Sequence, residues 1–153
     1  MKDVFKGIIF LMVLVACDAN RVFEEYKPLE QDGWDKDSVA RFDVEVGGTA
    51  QKYNLYINIR NKGNYPYSNI WLFVDINAPD GKLLTDTVEY ILAERSGKWL
   101  GSGIGDLFDN QFIYRRSVLF EKAGTYQFVI RQGMRAQKLE GIHDIGLRVE
   151  TQN

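Results

Sequence analysis

The sequence predicts an all-β chain whose main body is a single antiparallel β-sandwich over residues 39–153. Three observations carry that expectation. Apolar residues alternate with polar ones at a period of two in several separate windows, as half-buried strands require. Clusters of glycine, proline and asparagine interrupt those windows at near-regular intervals. No window of useful length repeats its apolar residues at i, i+3, i+4 and i+7, the stripe that an amphipathic helix needs.

Taken in order, Phe42, Val44 and Val46 alternate with Asp43 and Glu45, and Tyr53, Leu55, Ile57 and Ile59 alternate with Asn54, Asn58 and Arg60. The pattern continues through 70–76, 83–92, 112–120, 126–130 and 145–149. Between the strands stand Gly47-Gly48, Gly63-Asn64, Pro79-Asp80-Gly81, Ser96-Gly97 and Gly124, residues that supply the positive or fixed φ of tight connections. Roughly seven or eight short strands at this spacing argue a sandwich, with jelly-roll and immunoglobulin-like strand orders both fitting.

Ahead of the sandwich the chain has two further parts. Lys2 and Lys6 precede the apolar run Gly7–Ala16, which is too short to cross a bilayer and has the arrangement of a signal peptide, 1–16. The run stops at the only cysteine, and Leu14-Val15-Ala16-Cys17 is similar to a bacterial lipobox. That likeness implies a thiol acylated with fatty chains such as palmitate, cleavage before Cys17, and attachment to a membrane through it. More than one acyl chain suffices for stable anchoring. Residues 17–38 are polar, lack a sustained period and contain Pro28 and Gly33, and are expected to form a lipidated tether with Val22, Phe23, Tyr26 and Trp34 as docking points. With no acidic run after Cys17, the domain is expected to face the periplasm, the inner and outer membranes both fitting.

Charge and residue types narrow the function. With 19 Lys and Arg against 21 Asp and Glu the chain is mildly acidic, so it offers no electrostatic footprint to nucleic acid. Acylation consumes the one thiol. His143 is the only histidine and has no ligand-type residues at metal spacing. Gly101-Ser102-Gly103-Ile104-Gly105 has neither phosphate-loop spacing nor a following helix signal, and no G-x-S-x-G is present. No enzyme, cofactor or metal site is expected.

Two stretches do suggest recognition. In 70–76 both strand faces are apolar, with Trp71 and Phe73 opposite Ile70, Leu72, Val74 and Ile76, so the second face must be covered or used. Either the tether lays Phe23, Tyr26 or Trp34 over it, or it is an aromatic platform for a protein or a sugar. Tyr56 and the loop residues Tyr65, Pro66 and Tyr67 would extend it. The second stretch, Arg131-Gln132-Gly133-Met134-Arg135 to Lys138, brings three cations and a thioether into one loop, either as a solvated connection or as a grip on a carboxylate. Arg135 and the tyrosine loop are expected to form one interface.

The stretches "YNLYINIRNKGNYPYSNIWLFVDINAPDGK", "GKWLGSGIGDL" and "GTYQFVIRQGMRAQKLEGIHDIGLRVE" resemble the gliding-motility-associated lipoprotein family H of the Bacteroidota, most clearly in "YPYSNIWLF" and the ending. The resemblance implies an envelope lipoprotein that supports gliding and the associated protein-secretion apparatus, with protein partners there and no transferable catalytic residue. A glycan-binding envelope lipoprotein is the alternative. In periplasmic proteins of that phylum an Asp followed by Ser or Thr and an aliphatic residue marks O-glycosylation, which makes Ser38 and Thr87 candidate acceptors.

Overall fold

The computed structural model describes residues 18–152. The expected signal peptide, 1–16, and the expected lipidation site Cys17 lie outside the described residues. Ten strands follow in order: β1 (Arg21–Pro28), β2 (Trp34–Asp35), β3 (Ala40–Val46), β4 (Lys52–Lys62), β5 (Asn69–Asn77), β6 (Leu83–Ile91), β7 (Leu107–Leu119), β8 (Gly124–Gln132), β9 (Lys138–Leu139) and β10 (Ile142–Thr151).

Two four-stranded antiparallel sheets form, ordered β1-β10-β4-β7 and β3-β8-β5-β6, with β2 and β9 pairing separately. Among the eight long strands the first pairs with the last, the second with the seventh, the third with the sixth and the fourth with the fifth. The chain is thus one long antiparallel ribbon rolled over on itself. That is a jelly roll, which decides between the two strand orders the sequence left open.

The period-two residues do what their spacing predicts. Leu55, Ile57 and Ile59 of β4, Ile145, Leu147 and Val149 of β10, Phe42 and Val44 of β3, Phe128 and Ile130 of β8, and Ile70, Leu72 and Val74 of β5 are all buried in one core between the sheets. At Ser117 the backbone takes φ 53 and the β4–β7 register shifts. An Asn54 side-chain oxygen accepts the Ser117 N–H at 3.1 Å, satisfying a donor that the bulge takes out of the ladder.

The stretch expected to be a tether is different. Arg21–Pro28 is the edge strand of the first sheet, and Trp34 is fully buried, donating from Nε1 to the Ser38 carbonyl at 3.1 Å. The edge position explains why the period failed here. Phe23 packs against the core, but Lys27 lies at the margin of the sandwich, its ammonium 5.9 Å from the centre of the Phe42 ring. A strand there can carry charged side chains whose stems cover the core. On its other face Tyr26 lies across Gly146, where a Cβ would come within 2.9 Å of the ring, and under the Arg60 guanidinium at 4.2 Å. Arg148 of β10 joins Asp18, Glu24 and Glu150, and its hydrogen bond holds the Asp18 carboxyl below the usual range. The chain is therefore fastened to the sheet from Asp18 onward.

Candidate functional site

The rolled ribbon gives the sandwich two ends. At one end lie the start of β1, the finish of β10 and the connections 47–51, 78–82 and 120–123. At the other lie 29–39, 63–68, 92–106 and 133–141. Most of the residues singled out for recognition gather at this second end.

The connection 63–68 is rigidly held. Gly63 donates to an Asp106 side-chain oxygen at 3.0 Å, and a Cβ at this glycine would approach that oxygen to 2.3 Å, so no other residue fits without a shift. Tyr65 turns inward, 4% exposed, and its hydroxyl donates to the Asn69 carbonyl at 2.8 Å. Burial pushes that hydroxyl well above the usual tyrosine range. Gly141, at φ 81, passes so close that a Cβ would lie 2.6 Å from the Tyr65 Cα. Pro66 is exposed, and no peptide bond among the described residues is cis. Tyr67 meets the Tyr65 ring edge-on, with centroids 5.8 Å apart, and faces outward. Tyr65 thus supports the loop while Tyr67 is presented by it.

The connection 133–141 is built rather than solvated at its start. Gln132, 1% exposed, accepts the Met134 N–H at 2.9 Å and donates to the Ala136 carbonyl at 2.9 Å. Gly133 donates to the Trp71 carbonyl at 2.7 Å, and the Trp71 N–H points to the Met134 sulfur at 3.3 Å. The loop therefore lies along the first residues of β5. Between them a groove of about 430 Å³ is lined by Tyr67, Asn69, Trp71, Gly133, Met134 and Arg135. Tyr67 and Trp71 are each 40% exposed, Met134 is buried, and Arg135 is exposed with no ion-pair partner among the described residues.

Arg131 and Phe73 stand outside this groove. Arg131 donates to Asp75 at 2.9 Å, and its guanidinium lies 5.9 Å from the centre of the Phe73 ring, which is half-buried beneath it and beside Gly133. The cation expected to grip a partner's carboxylate already holds one of its own. Nor does the N-terminal stretch cover Trp71, because Phe23 and Tyr26 belong to the opposite sheet and Trp34 is in the core. Tyr56 is also in that other sheet, since the β4–β5 connection crosses the sandwich rather than forming a hairpin. Asn69, which no motif marked, enters the groove through its register position and is tied to Glu89.

The groove offers two flat rings, a soft thioether and an unpaired guanidinium. Such a set stacks against an apolar or sugar ring and takes a carboxylate in bidentate fashion. Tyrosine, tryptophan and arginine are also the side chains that concentrate binding energy at protein interfaces.

The remaining candidates are dispersed. Ser38 is exposed just ahead of β3, and Thr87 is exposed on β6 opposite Phe73. His143 shares a hydrogen bond with Asp144 at 2.9 Å, while its carbonyl accepts the Leu29 N–H at 3.1 Å and closes the end of β1. The glycine-rich stretch is a strand connection, bridged from Ser102 to Asp109 in both directions, and a Cβ on Gly103 would overlap the Leu107 carbonyl.

The family profile described as GldH lipoprotein matches residues 21–149. The chain is 38% identical over 160 residues to the gliding motility lipoprotein GldH homolog of Christiangramia forsetii, covering 98% of each protein. It is 39% identical over 153 residues to the gliding motility lipoprotein GldH of Flavobacterium johnsoniae, covering 94% of each. Among solved structures, an arabinose-bound α-L-arabinofuranosidase superposes with a TM-score of 0.38 at 12% identity, over 82% of this chain and 23% of that one. With the profile spanning nearly the whole sandwich and both relatives aligning along almost their full length, the chain belongs to the GldH lipoprotein family.

Proposed function

We propose that the protein works without catalysis, as a structural or assembly component of the gliding apparatus and its associated secretion machinery. In this reading it is anchored by acylated Cys17 and faces the periplasm. The family and the names of both relatives support the coarser part, a membrane-anchored envelope lipoprotein of gliding motility. One observation carries the finer part. The groove of Tyr67, Trp71, Met134 and Arg135 opens at the end of the sandwich opposite Asp18, the residue next to the proposed anchor. A component fixed to lipid at one end and open at the other is arranged to hold a protein partner off the membrane. A second reading, glycan binding, draws on the exposed Trp71 ring, a stacking surface for a sugar.

The test compares variants in a gliding bacterium whose own copy has been deleted. Tyr67→Ala and Arg135→Ala should each abolish spreading on agar while protein level, melting temperature and membrane association stay near wild type. Tyr65→Ala should instead lower stability by about 3–5 kcal/mol, as loss of a buried ring does. A stable Tyr67→Ala protein that spreads normally would refute the site. Binding of purified protein to a glycan array, lost on Trp71→Ala, would replace the protein-partner reading with the glycan one.

A further inference from the structure

Cys17 is the residue before Asp18, and Asp18 is gripped by Arg148. Consecutive Cα atoms are about 3.8 Å apart, so no spacer stands between an acylated Cys17 and the sandwich. The end of the fold that carries Asp18 must then lie against the bilayer.

That end has an apolar feature of its own. Between the edge strands β6 and β7 a groove of about 330 Å³ is lined by Leu83, Leu84, Val118, Leu119 and Phe120 among others. Leu83, Leu84 and Leu119 are 62%, 43% and 52% exposed. The charges on its rim are neutralised in pairs, Lys82 with Glu121 at 2.6 Å and Lys122 with Asp80 at 3.2 Å. A rim of this kind enters a zwitterionic headgroup layer without carrying an unpaired charge into it. The start of β1 and the end of β7 lie at opposite edges of one four-stranded sheet, three strand spacings or about 14 Å apart.

We propose that this groove is a second, non-covalent membrane contact: Leu83, Leu84 and Leu119 enter the interfacial layer of the phospholipid bilayer while Cys17 holds the opposite edge. Two contacts across one end fix the tilt of the sandwich and point the Tyr67–Arg135 groove away from the membrane. The inference rests on the acylation of Cys17 proposed above.

The experiment uses the full chain, expressed and processed in the bacterium, purified in detergent and reconstituted into phosphatidylethanolamine–phosphatidylglycerol vesicles. Acylation occupies Cys17, so Leu83→Cys, Leu119→Cys and Ile104→Cys each introduce one free thiol for an environment-sensitive fluorophore. Ile104, 97% exposed at the far end, is the aqueous reference. The labels at 83 and 119 should shift to the blue and be quenched by nitroxide lipids, and the label at 104 should do neither, with all three proteins melting like wild type. Vesicle-bound protein whose labels at 83 and 119 are as open to aqueous iodide as the one at 104 would overturn the membrane contact and leave the anchor intact. Wild-type protein that neither incorporates labelled palmitate nor floats with vesicles would overturn the anchor and the contact with it.

Discussion

Replacing Gln132 with methionine keeps the length and much of the volume of the side chain but removes both hydrogen bonds that shape the groove's second wall. Gln132 is 1% exposed, and its two contacts to the Met134 N–H and the Ala136 carbonyl are each 2.9 Å. A buried backbone group left without a partner costs about 1–3 kcal/mol. The loop can open to hydrate part of what is lost, which sets the expected destabilisation at about 2–4 kcal/mol. For a domain of this size that is a fall of about 10 °C in melting temperature. Gln132→Glu separates the hydrogen bonds from the shape. A protonated carboxyl repeats both contacts, whereas an ionised one has no donor for Ala136 and buries a charge. Burial raises the folded-state pKa of this glutamate above the unfolded value of about 4.3. Its stability relative to wild type is therefore full below that value and lost as pH rises through the folded pKa. Thermal melts of wild type and both variants at acid and neutral pH decide the matter. A Gln132→Met protein that melts within about 2 °C of wild type, or a Gln132→Glu protein with no pH-dependent deficit, would refute Gln132 as the residue that holds the loop.

Three further outcomes are expected. Ser117→Gly should raise the urea midpoint by the equivalent of about 0.5–1 kcal/mol and Ser117→Val should lower it, because φ 53 is strained for a side chain and free for glycine. Hydrogen bonds from Arg115, and then from Tyr114, hold the Asp86 carboxyl below the usual range, so its contribution is present above the unfolded pKa and disappears as pH falls through the folded one. Melts from about pH 5 downward should show a gentler acid limb for Asp86→Asn than for wild type. If Ser38 and Thr87 are glycosylated, intact-mass spectrometry of native protein will show sugar mass above the lipidated polypeptide that Ser38→Ala with Thr87→Ala removes; the lipidated mass alone dismisses the sites.

The sequence made the central strands legible and the edges much less so. In β3 and β4 one face meets the core while the other is mostly polar, and near-regular alternation follows from that, whereas in β5 the outer face also carries Trp71 and Phe73. In β1 the faces divide differently, with Glu24 and Tyr26 engaging the polar outer surface of the sheet while Lys27 covers the margin of the core. No period-two hydrophobic signal survives that arrangement. The start of β7 was missed for a related reason: Asp109 and Asn110 interrupt its apolar residues, and Asn110 is buried to donate to the Ile59 carbonyl and the Asn61 side chain. Strand order was unreadable because it depends on which windows pair across the whole chain. The candidate groove shows the same limit. Tyr67, Trp71 and Arg135 were each visible by residue type, but they meet only because β8 runs beside β5 and delivers Gly133 to the Trp71 carbonyl. The fate of Arg131 depends equally on Asp75, which is its neighbour only through that pairing.

A ribbon rolled with its first strand against its last also imposes an order in time. β1 has a single partner in its sheet, β10, and the Asp18 clamp is made by Arg148 of that same late strand. A lipoprotein chain that crosses a membrane from its N-terminus therefore presents β1 on the far side long before β10 arrives to receive it. Until then neither Asp18 nor β1 has its partner strand to dock on. Once β10 has crossed, Arg148 can close on Asp18 and β1 can join the edge of the sheet. Docking of the N-terminal strand is thus a late step by topology, because the pairing it needs spans nearly the whole length of the described residues.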